Sequence, residues 1–391
     1  MGRLPIPHTF AKHIALLSRK SLQCLRIGRE ERPFFVFFER LEWLIMANQM
    51  RGTSAKVEVT IDLVAKSAGV SRATVSRVMN GSAKVSPERV RAVKKAIAKY
   101  NFTPNATARR LAGGQSGLIA LLMEESSEEF FQNPFWGEVV QGFSAAITDA
   151  GMHPLLLIRP KSGTEESLFS TLRAGQMDAL AIFSWHRPMK SFEKLLDPKM
   201  KVVLGGDLGG SKNFPFVDVD NIKGGYLATK HLIDLGCKNI LTITGDLKLQ
   251  SGRDRLDGYE QALKSSGLKI NDDLVLHGDY TQAKAESLIN RLISSKVRFD
   301  GVFAGNDLSA VGAINVLMKN GMDVPRKVKV VGFDDSPIAR HNEPSITTVR
   351  QPIRELGAEV AAMILALLDG QEVENKVLDV KLIKRDSTLI K

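Results

Sequence analysis

The chain has 391 residues, 43% of them hydrophobic and 25% charged, with a formal net charge of +11. That length suits two or three domains, and that composition describes a soluble globular protein. The two cysteines, Cys24 and Cys237, form no motif, which argues against a disulfide framework and for a reducing, cytoplasmic setting. No uninterrupted apolar run reaches membrane-spanning length.

The chain opens on an unusual segment. Residues 1–45 carry two short apolar runs, Ile14–Leu17 and Phe34–Phe38, set among His, Lys, Arg and Glu. The runs are too short and too charged for a signal-peptide core, and no small-residue cleavage site follows. Residues 1–57 are therefore expected to stand outside the functional fold, with Met46 or Met50 as the true start.

Next comes the most informative stretch, Val59 to Gln115. Ile61, Val64, Ala65 and Ala68 fall at helical spacing, and Gly69 supplies a tight turn. Ser71 is a natural N-cap for a second helix whose inner face carries Val75, Val78 and Met79. Two short helices joined by a Gly-containing turn are the helix-turn-helix signature, and its partner is double-stranded DNA. Charge agrees: Met46 to Gln115 holds 13 Lys and Arg against 3 Asp and Glu, whereas Ser116 to Lys391 holds 33 against 36. The basic excess sits on the small unit that bears the DNA-reading motif.

After Gln115 short apolar runs alternate with amphipathic segments. Strands are predicted at 118–122, 155–158, 179–183, 202–204, 240–244, 301–304 and 328–333. Helices are predicted at about 136–150, 164–174, 222–236, 253–266, 281–294, 308–320 and 353–369. Fully apolar strands alternating with helices predict parallel sheets covered on both faces, and their number predicts two doubly wound lobes. The end, Val377 to Lys391, is expected to form one last strand and carries no appended leucine heptad, so the chain is expected to dimerise and not to form a helix-bundle tetramer.

Ligands in such folds bind outside the carboxyl ends of strands. The residues there are Asp207, Asp246, Arg253, Asp254, Arg255, Asn306, Asp307, Asp334 and Asp335. Carboxylates, an amide and guanidinium groups converging on one cleft suit a small polyhydroxylated ligand. An Asp before a helix is ordinarily its N-cap, and Asp307 is expected to be one.

On these residues the chain, from about Val59 to its end, resembles the lactose/galactose-repressor (LacI/GalR) family of bacterial transcription regulators. The matching segments are T-I-x-x-V-A-x-x-A-G-V-S-x-A-T-V-S-R-V-x-N from Thr60, Y-x-F-x-P-N at Tyr100 to Asn105, and N-P-F at Asn133 to Phe135. Further on come R-x-R-L-x-G-Y at Arg253 to Tyr259, V-V-G-F-D-D at Val330 to Asp335 and P-S-I-T-T-V-R-Q-P at Pro344 to Pro352. One departure is Leu63, where the family usually has Asp.

The resemblance implies a small all-α helix-turn-helix head at 58–103 and a hinge helix and linker at 104–115. It implies an α/β core of two doubly wound lobes at 116–391, like periplasmic binding proteins. Arg72, Ala73 and Arg77 would face the major groove, while Thr60, Ser71, Thr74, Ser76 and Asn80 would contact phosphates. Asn105, Ala108 and Leu111 would belong to the DNA-binding hinge, with Leu111 wedged into the minor groove. Phe135, Trp136, Asp207, Ser251, Arg255, Tyr280, Asn306 and Asp334 would bind the effector. Core packing is the competing role for the three aromatics, and the alignment at Asp207 is ambiguous by one residue.

The function implied is a homodimeric repressor whose affinity for a pseudo-palindromic operator is set by a small molecule, a sugar or sugar derivative. A nucleobase or nucleoside effector is the alternative. A periplasmic solute-binding protein shares the two-lobed fold but lacks a DNA-binding head. The sequence has no Walker lysine, metal-ligand cluster or G-x-S-x-G elbow, so neither a cofactor nor catalysis is expected.

Overall fold

The computed structural model describes residues 59–79, 84–102, 116–159, 172, 177–186, 196–197, 199–207 and 213–389. They fall in two compact units that divide at Pro104 and Asn105. The hinge at 104–115, the predicted helix at 164–174 apart from Leu172, and the segment 1–57 lie outside the described residues.

The first unit is helical. Helix α1 (Ile61–Ala68) starts at Thr60, whose hydroxyl accepts from the Leu63 amide, and stops at Gly69, whose φ of 64° belongs to the left-handed region. Helix α2 (Arg72–Met79) is capped by Ser71, whose Oγ accepts from the Thr74 amide at 3.2 Å. Helix α3 (Pro87–Tyr100) has Pro87 in its first turn, where the missing N–H costs nothing. Val64, Val75, Val93, Ala96 and Phe102 form the core, with Val78 and Met79 packed half-buried against it. Leu63, the departure from the family's Asp, is half-buried on α1.

The second unit holds the two lobes. The first lobe contains β1 (Leu118–Met123), α4 (Ser127–Gln132), α5 (Pro134–Asp149), β2 (His153–Ile158), β3 (Ala179–Phe183), β4 (Lys201–Gly205) and β5 (Phe216–Val219). The chain crosses to the second lobe for α6 (Asn221–Asp234), β6 (Ile240–Ile243), α7 (Gln250–Ser265), β7 (Val275–Leu276) and α8 (Gln282–Ser294). There it continues through β8 (Gly301–Ala304), α9 (Asp307–Lys319), β9 (Lys329–Asp334), α10 (Pro337–His341) and β10 (Thr347–Arg350). It returns for α11 (Ile353–Leu368) and β11 (Lys376–Leu378), then crosses once more for β12 (Lys381–Ile383).

Both sheets have the same plan. The first runs β2-β1-β3-β4-β5-β11, all parallel, and the second runs β7-β6-β8-β9-β10-β12, with only β12 antiparallel. The central strands are buried along their whole length, as sheets covered on both faces require. The segment expected to be one last strand is two: β11 pairs with β5 in one lobe and β12 with β10 in the other. Asp379 and Val380 separate them, so a run that is continuous in sequence serves as a crossover. The chain passes between the lobes, through the waist, near residues 220, 351 and 379, and the Asp220 amide donates to the Leu378 carbonyl at 3.0 Å.

Candidate functional site

On the head, Arg72, Ala73 and Arg77 are exposed on α2, while Val75 beneath them is fully buried. Helical geometry therefore presents the predicted groove-facing residues outward and keeps the apolar ones in. Arg72 Nε lies 3.7 Å from Asp62 Oδ1, both side chains being about two-thirds exposed. Ser71 and Thr74 hydroxyls bond each other at 2.9 Å. Thr60 and Ser71 thus have capping duties besides any phosphate contact. Ser76 is half-buried on the same helix. Asn80, Asn105, Ala108 and Leu111 lie outside the described residues.

The second candidate site is the cleft between the lobes, a cavity of about 570 Å³. It opens at the topological switch points of both sheets, between β1 and β3 and between β6 and β8, where strand order reverses and loops diverge. Phe135, Trp136, Asp207, Ser251, Arg255, Tyr280, Asn306 and Asp334 all line it.

The N-P-F segment explains the aromatic wall. Asn133 caps α5, its Oδ1 accepting from the Phe135 amide at 3.1 Å, and Pro134 begins the helix. Phe135 and Trp136 therefore project from the first turn into the cleft. Their rings meet edge to face at 4.8 Å, and Trp136 stands edge-on to Phe183 at 6.4 Å. Trp136 is only 8% exposed, so it serves core and wall together.

On the opposite wall, Tyr280 has a positive φ of 69°, which turns its ring inward over Gly245. A Cβ at Gly245 would lie 1.9 Å from that ring, so glycine is what permits the close approach. The Tyr280 hydroxyl bonds Ser251 Oγ at 3.1 Å, and burial pushes its phenol upward from the ordinary value.

Arg255 is the organising cation. Its Nε donates to Asn221 Oδ1 at 2.9 Å and its Nη1 to the Gly305 carbonyl at 2.6 Å. The guanidinium stacks 3.6 Å from the Phe333 ring centroid and 5.5 Å from that of Tyr280. Asp334 Oδ1 lies 3.9 Å from Nη1 and accepts from Gln351 Nε2 at 2.6 Å. Burial raises the Asp334 carboxyl above its usual range, and Arg255 and Gln351 partly restrain it. Asn221 and Gln351 both come from crossovers, so opening or closing the waist moves the groups that hold Arg255 and Asp334.

One assignment needs correction. Asp307 is not the cap of α9: Asn306 is, its Oδ1 accepting from the Ser309 amide at 3.0 Å. Asn306 Nδ2 also donates to the Tyr280 carbonyl at 2.9 Å, and the residue still lines the cleft. Asp307 is instead buried, accepting from Ser336 N and Oγ and from Thr348 Oγ1. The cap shifts by one residue because Asn306 alone has the extended backbone that a cap needs.

Asp207 lines the cleft, and its amide donates to Asp218 Oδ2 at 2.8 Å. Several cleft residues escape sequence reasoning, notably Glu125, Ser184, His186, Asp218, Asn221 and Gln351. Glu125, Ser184 and His186 follow β1 and β3, the switch-point strands. Strand order was the missing signal: only the sheet plan marks those two strand ends as converging.

A helical head with an exposed basic recognition face, carried on the same chain as a two-lobed α/β unit with a polar and aromatic cleft, defines a ligand-responsive DNA-binding protein. The family profile described as bacterial regulatory proteins, lacI family, matches residues 60–105, and that of the periplasmic binding protein-like domain matches residues 229–388. The HTH-type transcriptional regulator CelR of Thermobifida fusca is 36% identical over 84% of this chain and 98% of its own. GalR of Escherichia coli K12 is 34% identical over 84% and 95%. Among solved structures, a complex of CelR with cellobiose superposes with a TM-score of 0.66 at 36% identity, covering 84% of this chain and all 100% of the other. The lac repressor dimer bound to operator and the anti-inducer ONPF gives 0.74 at 27% identity, covering 85% and 99%. The chain belongs to the lacI family of bacterial regulatory proteins, which are DNA-binding transcription regulators.

Proposed function

We propose that the protein is a homodimeric repressor whose operator affinity is controlled by a sugar or sugar derivative bound between the lobes, and that it catalyses no reaction. What carries this reading is the cleft. Phe135, Trp136 and Tyr280 offer apolar faces for sugar C–H groups, while Arg255, Asp334 and Ser251 offer donors and acceptors for hydroxyls. The cavity of about 570 Å³ is ample for a disaccharide, and the similar CelR forms a complex with cellobiose. Among the described residues no group of side chains is disposed to hold a metal ion, and no helix is long and apolar enough to cross a membrane.

Ligand binding between the lobes favours one waist geometry. The first lobe follows the hinge segment at 104–115 directly in sequence, so its rotation is passed to the DNA-binding segment and alters DNA affinity. Such coupling is reciprocal: operator DNA changes effector affinity by the same factor.

The test is thermal unfolding of the full chain against mono- and disaccharides, sugar phosphates and purines. A ligand at about 100 times its dissociation constant adds roughly 2.7 kcal/mol to the folded state, which raises the midpoint visibly. A sugar hit that also changes operator affinity supports the reading. A purine as the sole hit replaces the sugar with a nucleobase or nucleoside.

A further inference from the structure

Four polar side chains form a line across the cleft. It runs from Glu125, after β1, to Ser184 and His186, after β3, and ends at Asp246, after β6 in the second lobe. The Ser184 hydroxyl donates to Glu125. Ser184 Oγ also lies 3.1 Å from His186 Nε2, and Glu125 Oε1 lies 3.6 Å from the same nitrogen. On the other edge of the ring, Asp246 Oδ2 stands 3.4 Å from Nδ1, which is buried without a hydrogen-bond partner. The His186 side chain is 7% exposed, so solvent does little to replace a missing bond. The His186 amide donates to Glu124 Oε2 at 2.9 Å, and Glu124 is paired with Arg159 at 2.7 Å. Among the described residues, the charged groups in contact with the ring are thus Glu125 of the first lobe and Asp246 of the second. Glu125 has a further interaction besides these, which helps to hold the carboxylate and leaves the following count unchanged.

Three links join the four groups, and each link needs one hydrogen. The Ser184 hydroxyl brings one and a neutral imidazole brings one. With both carboxylates ionised, the line is therefore one hydrogen short. Ser184 gives its hydrogen to Glu125, so the link between Ser184 and His186 takes its hydrogen from Nε2. A neutral ring then turns the bare lone pair of Nδ1 towards Asp246, acceptor against acceptor. A proton added at Nδ1 converts that approach into a charge-assisted hydrogen bond between the lobes. Imidazole is the group of the four kinds present that ordinarily gains a proton closest to neutral pH.

We propose that contact between the lobes takes up one proton from solvent, held on His186 Nδ1, so that acid favours the closed cleft and alkali the open one. The coupling is reciprocal: by whatever factor the Asp246 contact favours the second ring proton, that proton favours the contact. Where closing accompanies effector binding, affinity falls as pH rises, by at most about tenfold per pH unit for a single proton. That an effector drives the closing rests on the function proposed above; the proton count does not.

Ring-nitrogen NMR of the full chain, with its seven histidines labelled with nitrogen-15, reads the line without an effector. His186 is assigned by the signals lost in His186→Gln. In its neutral form the wild-type ring is expected to carry its hydrogen on Nε2. The amide introduced by Asp246→Asn can donate to a bare Nδ1, and so completes the third link without a proton. At any one pH the ratio of doubly protonated to neutral ring should be at least about tenfold higher in the wild type than in Asp246→Asn. Equal ratios in the two proteins, or a neutral wild-type ring with its hydrogen on Nδ1, overturn the proposal.

Calorimetric titration with cellobiose, galactose, ribose and adenosine then counts protons on binding. Each is run in two buffers of different ionisation heat at about pH 7.5, where a free imidazole is mostly neutral. A probe that binds should take up a proton, to a limit of about one per site, and Asp246→Asn should abolish the uptake. Binding with no uptake, or with release, overturns the proposal. Adenosine as the sole binder, with uptake, upholds the proposal and removes the sugar reading. If none of the four binds, the sugar reading loses its support and the ring spectra decide the proposal.

Discussion

His186 and Asp246 face each other from opposite lobes, imidazole Nδ1 and carboxylate Oδ2 being 3.4 Å apart. The other ring nitrogen, Nε2, lies 3.1 Å from Ser184 Oγ, and the Ser184 hydroxyl is itself hydrogen-bonded to Glu125. His186 is thus held in the first lobe and approaches the second at Asp246. Opening the cleft by an ångström or two breaks that contact and little else in the first lobe.

This arrangement makes His186 and Asp246 a coupled pair in effector binding. His186→Gln and Asp246→Asn should each weaken the effector by about tenfold, near 1.4 kcal/mol, by removing one polar approach between the lobes. In a double-mutant cycle the pair should show a coupling of about 0.5–3 kcal/mol. Calorimetric titration of the two singles and the double decides it, and strictly additive losses would mean that the contact contributes nothing to closure.

Gly245→Ala tests the aromatic platform by crowding the Tyr280 ring and its hydroxyl. The new methyl would meet the Tyr280 ring at 1.9 Å, and that ring must leave its place beside Arg255. Overpacking of this kind costs about 1–3 kcal/mol of stability, so the variant should still fold. Effector affinity should fall by about tenfold or more. Unaltered affinity in a folded Gly245→Ala protein would remove Tyr280 from the binding surface.

The head and the second lobe's site were the most legible parts of the sequence, for a physical reason. Thr60, Gly69 and Ser71 are local signals, each fixing a cap or a turn within a few residues. Arg255 and Asp334 were legible because they sit in matching motifs. Ser184 and His186 were not, because what brings them to the cleft is the position of β3 next to β1, a long-range fact. The split of the last strand into β11 and β12 was hidden likewise: its apolar pattern is continuous, and only the crossover at Asp379 divides it between sheets. Asn306 and Asp307 stand side by side before one helix, and composition alone did not say which was the cap.

Stability should fall as pH rises from about 5 to 8, and Asp307 is a principal cause. Burial, and then the charge of Asp334, raises its carboxyl well above the ordinary 3.8, while Thr348 and Ser336 hydrogen bonds oppose the shift. A carboxyl raised in the folded state keeps its proton where the unfolded chain has released it. The folded state therefore binds more protons across that window, and unfolding free energy declines with rising pH until the folded-state carboxyl has also ionised. Asp307→Asn should flatten the decline, since Ser336 can still donate to the amide oxygen and the Thr348 hydroxyl can turn to accept from its NH₂. Denaturant midpoints at pH 5, 6.5 and 8 for both proteins measure it. A wild-type curve rising over that range would contradict the raised carboxyl.

Arg72 of the head and Leu111 of the hinge segment should fail in different ways. Arg72 is exposed at the start of α2 and, among the described residues, pairs with Asp62 at 3.7 Å, a surface pair worth little. Its guanidinium is therefore available for bidentate pairing with guanine, and Arg72→Ala should cost about 1–3 kcal/mol on the selected operator. The loss should be concentrated at one base pair of each half-site. Leu111→Ala removes no charge, so the salt dependence of binding should be retained while specific affinity is mostly lost. Operator sequences selected from a random pool, titrated at several salt concentrations, separate the two. If Arg72→Ala weakens all sequences equally, Arg72 is a phosphate contact and base reading passes to Ala73 and Arg77.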